Sequence, residues 1–313
     1  MPPASIGTLR TMRTRFAFMH VPKSAGSSIK NAVAARCDPA TVASKELDRV
    51  LFGGFDGYDE MPTRTRETIA VDGADQLRGF EVVMGHFSVA SFNPHFDATE
   101  MMTVLREPRT RLLSLYTFWR GWTAERHADW DPYDASRRAV TASWSAFLSD
   151  PSIASQTDNV VARMLLAPHP KIPRDGFIAS TDEDEIVETA CALLDRFGFA
   201  DVVESGAGLW SGLSSWLETQ VEPERTLVTR IPADTDWTTS ITSSSAAALS
   251  RRTSIDRRLW RRVAVDRNED VDALAEATFH RKLVGVAAAT SPSEPAGQPA
   301  ASVRERLAGR LRR

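Results

Sequence analysis

The chain has only two cysteines, Cys37 and Cys191, far apart in its 313 residues. Two isolated thiols leave neither a disulfide framework nor a cysteine-based zinc spacing, which fits a reducing compartment. Long apolar runs are missing as well, since none approaches the ~20 residues that span a bilayer. Arg10, Arg13 and Arg15 precede an apolar stretch too short for a secretory signal. Neither secretion nor membrane insertion is therefore expected. An excess of one sign of charge is lacking too: 38 Lys+Arg face 41 Asp+Glu, for a formal net charge of −3. The balance gives no whole-chain reason to expect nucleic acid or an anionic membrane as partner. No internal repeat is visible.

What is present suffices for a sizeable core, with 42% hydrophobic residues in a chain long enough for one large domain or two. Phe16 to His20 reads as a short buried strand that runs into Pro22-Lys23-Ser24-Ala25-Gly26-Ser27-Ser28 and then a helix carrying Ile29 and Val33. Phe80 to Met84 and Met101 to Leu105 read as further strands, the first ending in Gly85-His86 and the second in Arg106-Glu107-Pro108. Pro108 suits the first turn of a helix, and Leu112, Leu115, Tyr116, Trp119 and Trp122 recur after it at helical spacing. Residues 37–79 read as loops with short helical pieces. Asp158–Leu166 and Thr181–Phe197 read as helices, the second with a threonine cap and an acidic first turn. Its run Asp182-Glu183-Asp184-Glu185 is read as complementing the helix dipole rather than as a metal site. Phe199–Val203 and Thr226–Ile231 are strand candidates, Leu209–Leu217 a helix, and 238–250 a Ser/Thr/Ala stretch without periodicity. Seven arginines punctuate 251–267, and a last helix spans 269–285. From Ala287 the composition turns to Ala, Ser, Pro and Gly, a linker too poor in apolar surface to fold, ending in a short basic tail. Strands alternating with helices predict an α/β fold with a central parallel sheet.

A strand leading through small residues into a helix is the geometry of an anion site. Backbone amides approach the ligand, the helix N-terminus adds partial positive charge, and serine hydroxyls donate. Lys23 adds a full charge, yet Gly-x-x-x-x-Gly-Lys-[Ser/Thr] is missing, so this is not the nucleoside triphosphate loop. An ordinary strand-to-helix turn would look similar. Arg106 ends a strand and Ser114 follows two helical turns later; at the carboxyl edge of a parallel sheet the pair could face the same ligand as the 22–28 loop. Alone, such an arginine at a helix start is more often a solvated, capping or salt-bridged group.

Together, Phe18–Ser28 and Val104–Tyr116 resemble the two signature segments of the sulfotransferases that use 3′-phosphoadenosine-5′-phosphosulfate (PAPS). The likeness is nearest to the Golgi carbohydrate type that includes heparan sulfate 2-O-sulfotransferase. It covers residues 15–125 clearly and continues weakly through Asp158–Arg163 and Ile255–Trp260. The resemblance implies a P-loop-like sulfotransferase fold over residues 1–286, with 287–313 a disordered tail. It implies that Lys23, Ser24, Ala25, Gly26, Ser27 and Ser28 hold the 5′-phosphosulfate and that Arg106 and Ser114 hold the 3′-phosphate. Gly85-His86 matches the Gly-His that supplies the general base, so His86 would take the acceptor's proton while Lys23 steadies the leaving group. PAPS would be the sulfuryl donor, with no metal. The partner would be a hydroxyl-bearing acceptor: a carbohydrate, a glycolipid or a secondary metabolite.

The loop reads Ser-Ala-Gly-Ser-Ser where relatives show Thr-Gly-Gly-Thr-Ser, a change that keeps small residues and hydroxyls. The missing membrane anchor implies a cytoplasmic, bacterial-type relative. His20 is read as a structural strand residue, and Arg230, Arg251 and Arg252 as a solvated face that would reach the 3′-phosphate only secondarily. Acceptor-binding residues match nothing closely enough to be carried over. The rival readings are a P-loop-like phosphotransferase using ATP, a catalytically silent nucleotide- or carbohydrate-binding module, and, most weakly, a nucleic-acid binder resting on the 251–267 arginines.

Overall fold

The computed structural model describes residues 12–49, 51, 58–71, 73–130, 135–223, 242–266 and 270–290. Its centre is a four-stranded sheet built from β1 (Phe16–Met19), β4 (Val82–Gly85), β5 (Met101–Leu105) and β6 (Phe199–Val202). The order across the sheet is β4-β1-β5-β6, and every neighbouring pair is parallel. A smaller parallel pair, β2 (Leu47–Asp48) with β3 (Ile69–Ala70), flanks it within the segment read as loops. The α/β architecture with a parallel sheet flanked by helices is thus as the alternation of elements predicts.

Parallel strands covered on both faces must be apolar on both, and these are. Phe16 and Phe18 pack with Ile29 and Val33 of the helix Gly26–Ala34 and with Leu213. Ala17 and Met19 face the other way, onto Val160, Ile186 and Leu259. Each fully buried chain of this size contributes about 1.5–3 kcal/mol relative to exposure. A third apolar cluster joins Leu112, Tyr116 and Trp119 of the helix Pro108–Arg120 to Trp144, Phe147, Leu249 and Val286.

Several boundaries differ from the sequence reading for local reasons. The strand expected from Phe80 begins at Val82, because the Phe80 amide closes a turn onto the Leu77 carbonyl and the Glu81 amide bonds to Thr41. The Thr181 cap gives way to Asp182: Ser180–Asp182 forms a 3-10 turn and the helix proper is Glu183–Leu194. Most of the aperiodic Ser/Thr/Ala stretch is helical, Ser243–Arg252, started by a capping box between Thr242 and Ser245. The last helix, Val271–Thr290, runs past the expected linker onset at Ala287. The expected strand at Thr226–Ile231, Arg230 within it, and residues 291–313 lie outside the described residues. No described helix is long and apolar enough to cross a membrane.

The chain leaves β1 to build β4 on one side and returns to place β5 on the other, so the connections diverge at β1. Crevices at the carboxyl ends of strands around such a point are where open α/β sheets bind ligands.

Candidate functional site

Three adjacent strands end at that crevice, and each delivers one of the expected side chains. β1 runs into the Lys23 loop, β4 into His86, and β5 into Arg106. The loop is held in an unusual backbone shape: Lys23 and Ala25 both adopt left-handed conformations, with φ 69 and 59. For residues with a Cβ this costs of order 1 kcal/mol each and is found where function requires it. Ala25 is the N-cap of Gly26–Ala34, and it caps without any side-chain bond. The first amides of that helix thus have no intrahelical acceptor and face the crevice end of the element. The Ser24 amide turns instead to the Val21 carbonyl at 3.2 Å, while its hydroxyl is buried with no hydrogen-bond partner. Ser27 is exposed and Ser28 half-buried.

Arg106 closes the gap between the two motifs. Its Nη1 donates to the backbone carbonyl of Lys23 at 3.1 Å, bridging 83 positions of sequence, and its Nε is buried without a partner. Ser114 lies two turns along the Pro108 helix, buried, and its hydroxyl makes no hydrogen bond to the other residues of the site. The structure therefore unites Lys23, Arg106 and the loop, and among the described residues no hydrogen bond joins Ser114 to them.

Electrostatics mark the crevice as a place for an anion. Burial pushes the Lys23 amine down to about 8, helped by the nearby charges of Arg106, Lys282 and Arg126. Lys282, from the Val271 helix, is likewise lowered to about 8 by burial and by Arg106. Among the described residues neither lysine has a carboxylate within ion-pair distance; the Lys23 ammonium instead sits 3.7 Å from the centre of the Phe118 ring. Arg126 covers the same ring and Trp122. Desolvated cations without counter-charges are costly, and a multiply charged anion relieves the cost. Lys282 and Arg126 have no motif around them, and only the packing of the Val271 helix on the Pro108 helix brings Lys282 here. That packing is fastened by Arg109, which pairs with Glu276 at 2.8 Å and covers the Phe279 ring.

His86 stands opposite. Its Nδ1 lies 2.6 Å from the carbonyl oxygen of His20. A carbonyl only accepts, so Nδ1 carries the proton and Nε2 is left as the basic nitrogen. Burial lowers this imidazole to about 4, against the raising effects of the His20 carbonyl and Glu46, with Lys30 and Lys23 lowering it further. Its backbone is fixed by β2: the His86 amide donates to the Glu46 carbonyl at 2.7 Å, and the Asp48 amide to the His86 carbonyl at 3.1 Å. Gly85 is required by this brace, because a Cβ there would stand 2.5 Å from the Glu46 carbonyl oxygen.

His20, read from sequence as structural, packs directly beside His86. Its ring lies 4.2 Å from that of His86 and stacks on Phe18. Burial holds it well below the ordinary histidine range, with His86 adding to the effect. Gly26 exists for this ring, since a Cβ would fall 1.7 Å from His20 Cδ2. Gly26→Ala is expected to displace His20 onto His86 and to lower unfolding stability by about 1–3 kcal/mol. Urea denaturation would measure it.

Within the expected 251–267 arginine face, Arg252, Arg258 and Arg262 form ion pairs, and Arg267 lies outside the described residues. Arg252 reaches Asp158 at 3.0 Å, Arg258 reaches Asp184 at 2.6 Å, and Arg262 reaches Asp195 at 3.0 Å. A separate cavity of about 550 Å³, lined by Leu51, Arg163, His169 and Pro173 among others, contains none of the site's side chains. No family model matches the chain, and no curated protein matches it.

Proposed function

We propose that the protein is a P-loop-like sulfotransferase that moves a sulfuryl group from PAPS to the hydroxyl of a carbohydrate, glycolipid or secondary metabolite. The observation that carries this reading is the 3.1 Å bond from Arg106 to the Lys23 carbonyl, which joins the two motif segments into one cation-rich crevice facing a tautomerically fixed histidine. The orphaned Ser24 hydroxyl and Arg106 Nε, with the ammonium groups of Lys23 and Lys282 that have no ion-pair partner among the described residues, fit a ligand bearing two phosphate-like groups.

The donor supplies an activated sulfuryl group whose S–O bond to phosphate breaks as the acceptor's oxygen bonds to sulfur. The first amides of the Gly26 helix, with Ser24, Ser27 and Ser28, hold the 5′ group. The Lys23 ammonium meets the charge that develops on the leaving oxygen. Arg106, Ser114 and Lys282 hold the 3′-phosphate. His86 Nε2 accepts the acceptor's hydroxyl proton and, with Nδ1 bonded to the His20 carbonyl, becomes an imidazolium.

Calorimetric titration with 3′-phosphoadenosine 5′-phosphate, beside ATP with magnesium, tests the proposal. The bisphosphate is expected to bind more tightly than ATP. Arg106→Ala is expected to weaken it roughly 10–100-fold, the effect of removing hydrogen bonds to a charged group. Preference for ATP with magnesium, or binding of neither, would overturn the reading.

A further inference from the structure

Arg106 has a companion that nothing in the motif announces. Glu204 follows β6, the strand beside β5, and its carboxylate is largely buried. One oxygen, Oε1, accepts the backbone amide of Glu107 at 3.1 Å; the other, Oε2, accepts the indole N–H of Trp260 at 3.0 Å. Both donors are neutral, so the negative charge keeps its reach. Arg106 feels it: Glu204 is the foremost charge opposing the effect of burial on that guanidinium, ahead of Glu107. Yet no hydrogen bond or ion pair joins Glu204 to Arg106.

That arrangement is uncommon. A guanidinium and a carboxylate desolvated side by side ordinarily close into a forked pair, because the gain in low dielectric is large and the geometry matches. Here the carboxylate is tethered at both oxygens, and Arg106 is left with Nη1 on the Lys23 carbonyl and Nε without a partner. The tether is rigid. Trp260 is among the largest fully buried side chains, and Glu107, whose amide is the other anchor, is itself fixed by accepting the Thr110 amide at 2.8 Å and Arg109 at 2.7 Å.

We infer that Glu204, restrained by Trp260 and the Glu107 amide, is a positioning residue for Arg106: it supplies the compensating charge while being held off the guanidinium, which keeps Arg106's donors open for a phosphate. The inference rests on the reading that Arg106 binds the 3′-phosphate. It also assigns a task to the buried side of the Ser254–Ala264 helix, on which Arg258 and Arg262 pair with Asp184 and Asp195.

Removing the tether should let Glu204 close on Arg106. Trp260→Phe is expected to weaken binding of 3′-phosphoadenosine 5′-phosphate about tenfold while changing that of AMP, which lacks the 3′-phosphate, less than twofold. The double variant Trp260→Phe/Glu204→Gln is expected to recover the affinity. Carbon-13 titration of the Glu204 carboxyl supplies a reading that needs no nucleotide: closure onto Arg106 moves its titration to lower pH, whereas mere loss of the indole bond moves it higher. An unchanged bisphosphate affinity, a loss that persists in the double variant, or a rise in the Glu204 titration would overturn the inference. Glu204→Gln alone guards against a Trp260 variant that does not fold: its affinity for the bisphosphate should equal or exceed that of the parent, and a tenfold drop would count against the role. Should the parent protein fail to prefer the bisphosphate over AMP, the donor assignment falls, and the carboxyl titration still decides whether Trp260 holds Glu204 off Arg106.

Discussion

His86→Ala is expected to lower kcat by about 10²–10⁴-fold near neutral pH, the usual contribution of a positioned general base, while leaving bisphosphate affinity within about twofold. The expectation follows from geometry before pKa. The His20 carbonyl fixes the proton on Nδ1 and the bonds to Glu46 and Asp48 fix the backbone, so Nε2 would meet an acceptor without searching for its tautomer. Burial then sets the working range. With the imidazole lowered to about 4, it is unprotonated across the neutral range, and kcat/KM should fall only as pH drops through that value. At the other end the activity needs cations: Lys23 and Lys282 each lose their proton at about 8, so the profile should fall again there. A bell with limbs near 4 and 8 is the expected profile of the free protein. His86→Ala should abolish the acidic limb; its persistence, or near-normal turnover, would sink the assignment.

The low value of His86 also describes a weak base, and the charges around it suggest how it is strengthened. Lys23 and Lys30 depress it, while Glu46, ion-paired with Lys30, raises it. An anion docked on Lys23 would neutralise one of the depressing charges. On the proposed reading, the proton affinity of His86 would rise with the donor in place, and donor binding would be coupled to base strength through Coulomb interaction.

What was legible in the sequence was what local chemistry dictates. β1, the Lys23 loop and the Gly26 helix follow from an apolar run, a Pro and a string of small residues; β5 and the Pro108 helix follow from Met101–Leu105, Pro108 and the spacing of Leu112, Tyr116 and Trp119. What escaped was set by packing between distant segments. His20 looks like any strand histidine until β4 brings His86 to 4.2 Å from it. Lys282 lies 259 positions after Lys23, and the packing of its helix on the Pro108 helix, with Arg109 gripping Glu276 and Phe279, brings it to the crevice. Glu204 becomes conspicuous through its bonds to Glu107 and Trp260, which no periodicity encodes. The short β2–β3 pair escaped because two-residue strands carry no alternation to read.

Lys23→Met should cost about 10²–10³-fold in kcat, the scale found when one preorganised group that meets developing transition-state charge is removed. It should do so without lowering the melting temperature at pH 7. Methionine keeps the apolar stem against Phe118, while the ammonium it deletes is partly buried among Arg106, Lys282 and Arg126, with no carboxylate within ion-pair distance among the described residues. A lysine whose folded value is about 8 instead of 10.5 binds its proton more weakly in the folded chain than in the unfolded one. The resulting penalty is fully present below pH 8 and fades as the pH rises toward 10.5, because there the unfolded chain carries the extra proton. Wild type should therefore gain stability relative to Lys23→Met across that window, a trend that paired thermal melts at pH 7 and pH 9.5 would measure. A structural lysine would show the reverse pattern, with lower stability in the variant and activity lost only in proportion to unfolding. Loss of turnover together with retained or increased stability would identify Lys23 as a charge kept at a thermodynamic cost for the sake of the anion it faces.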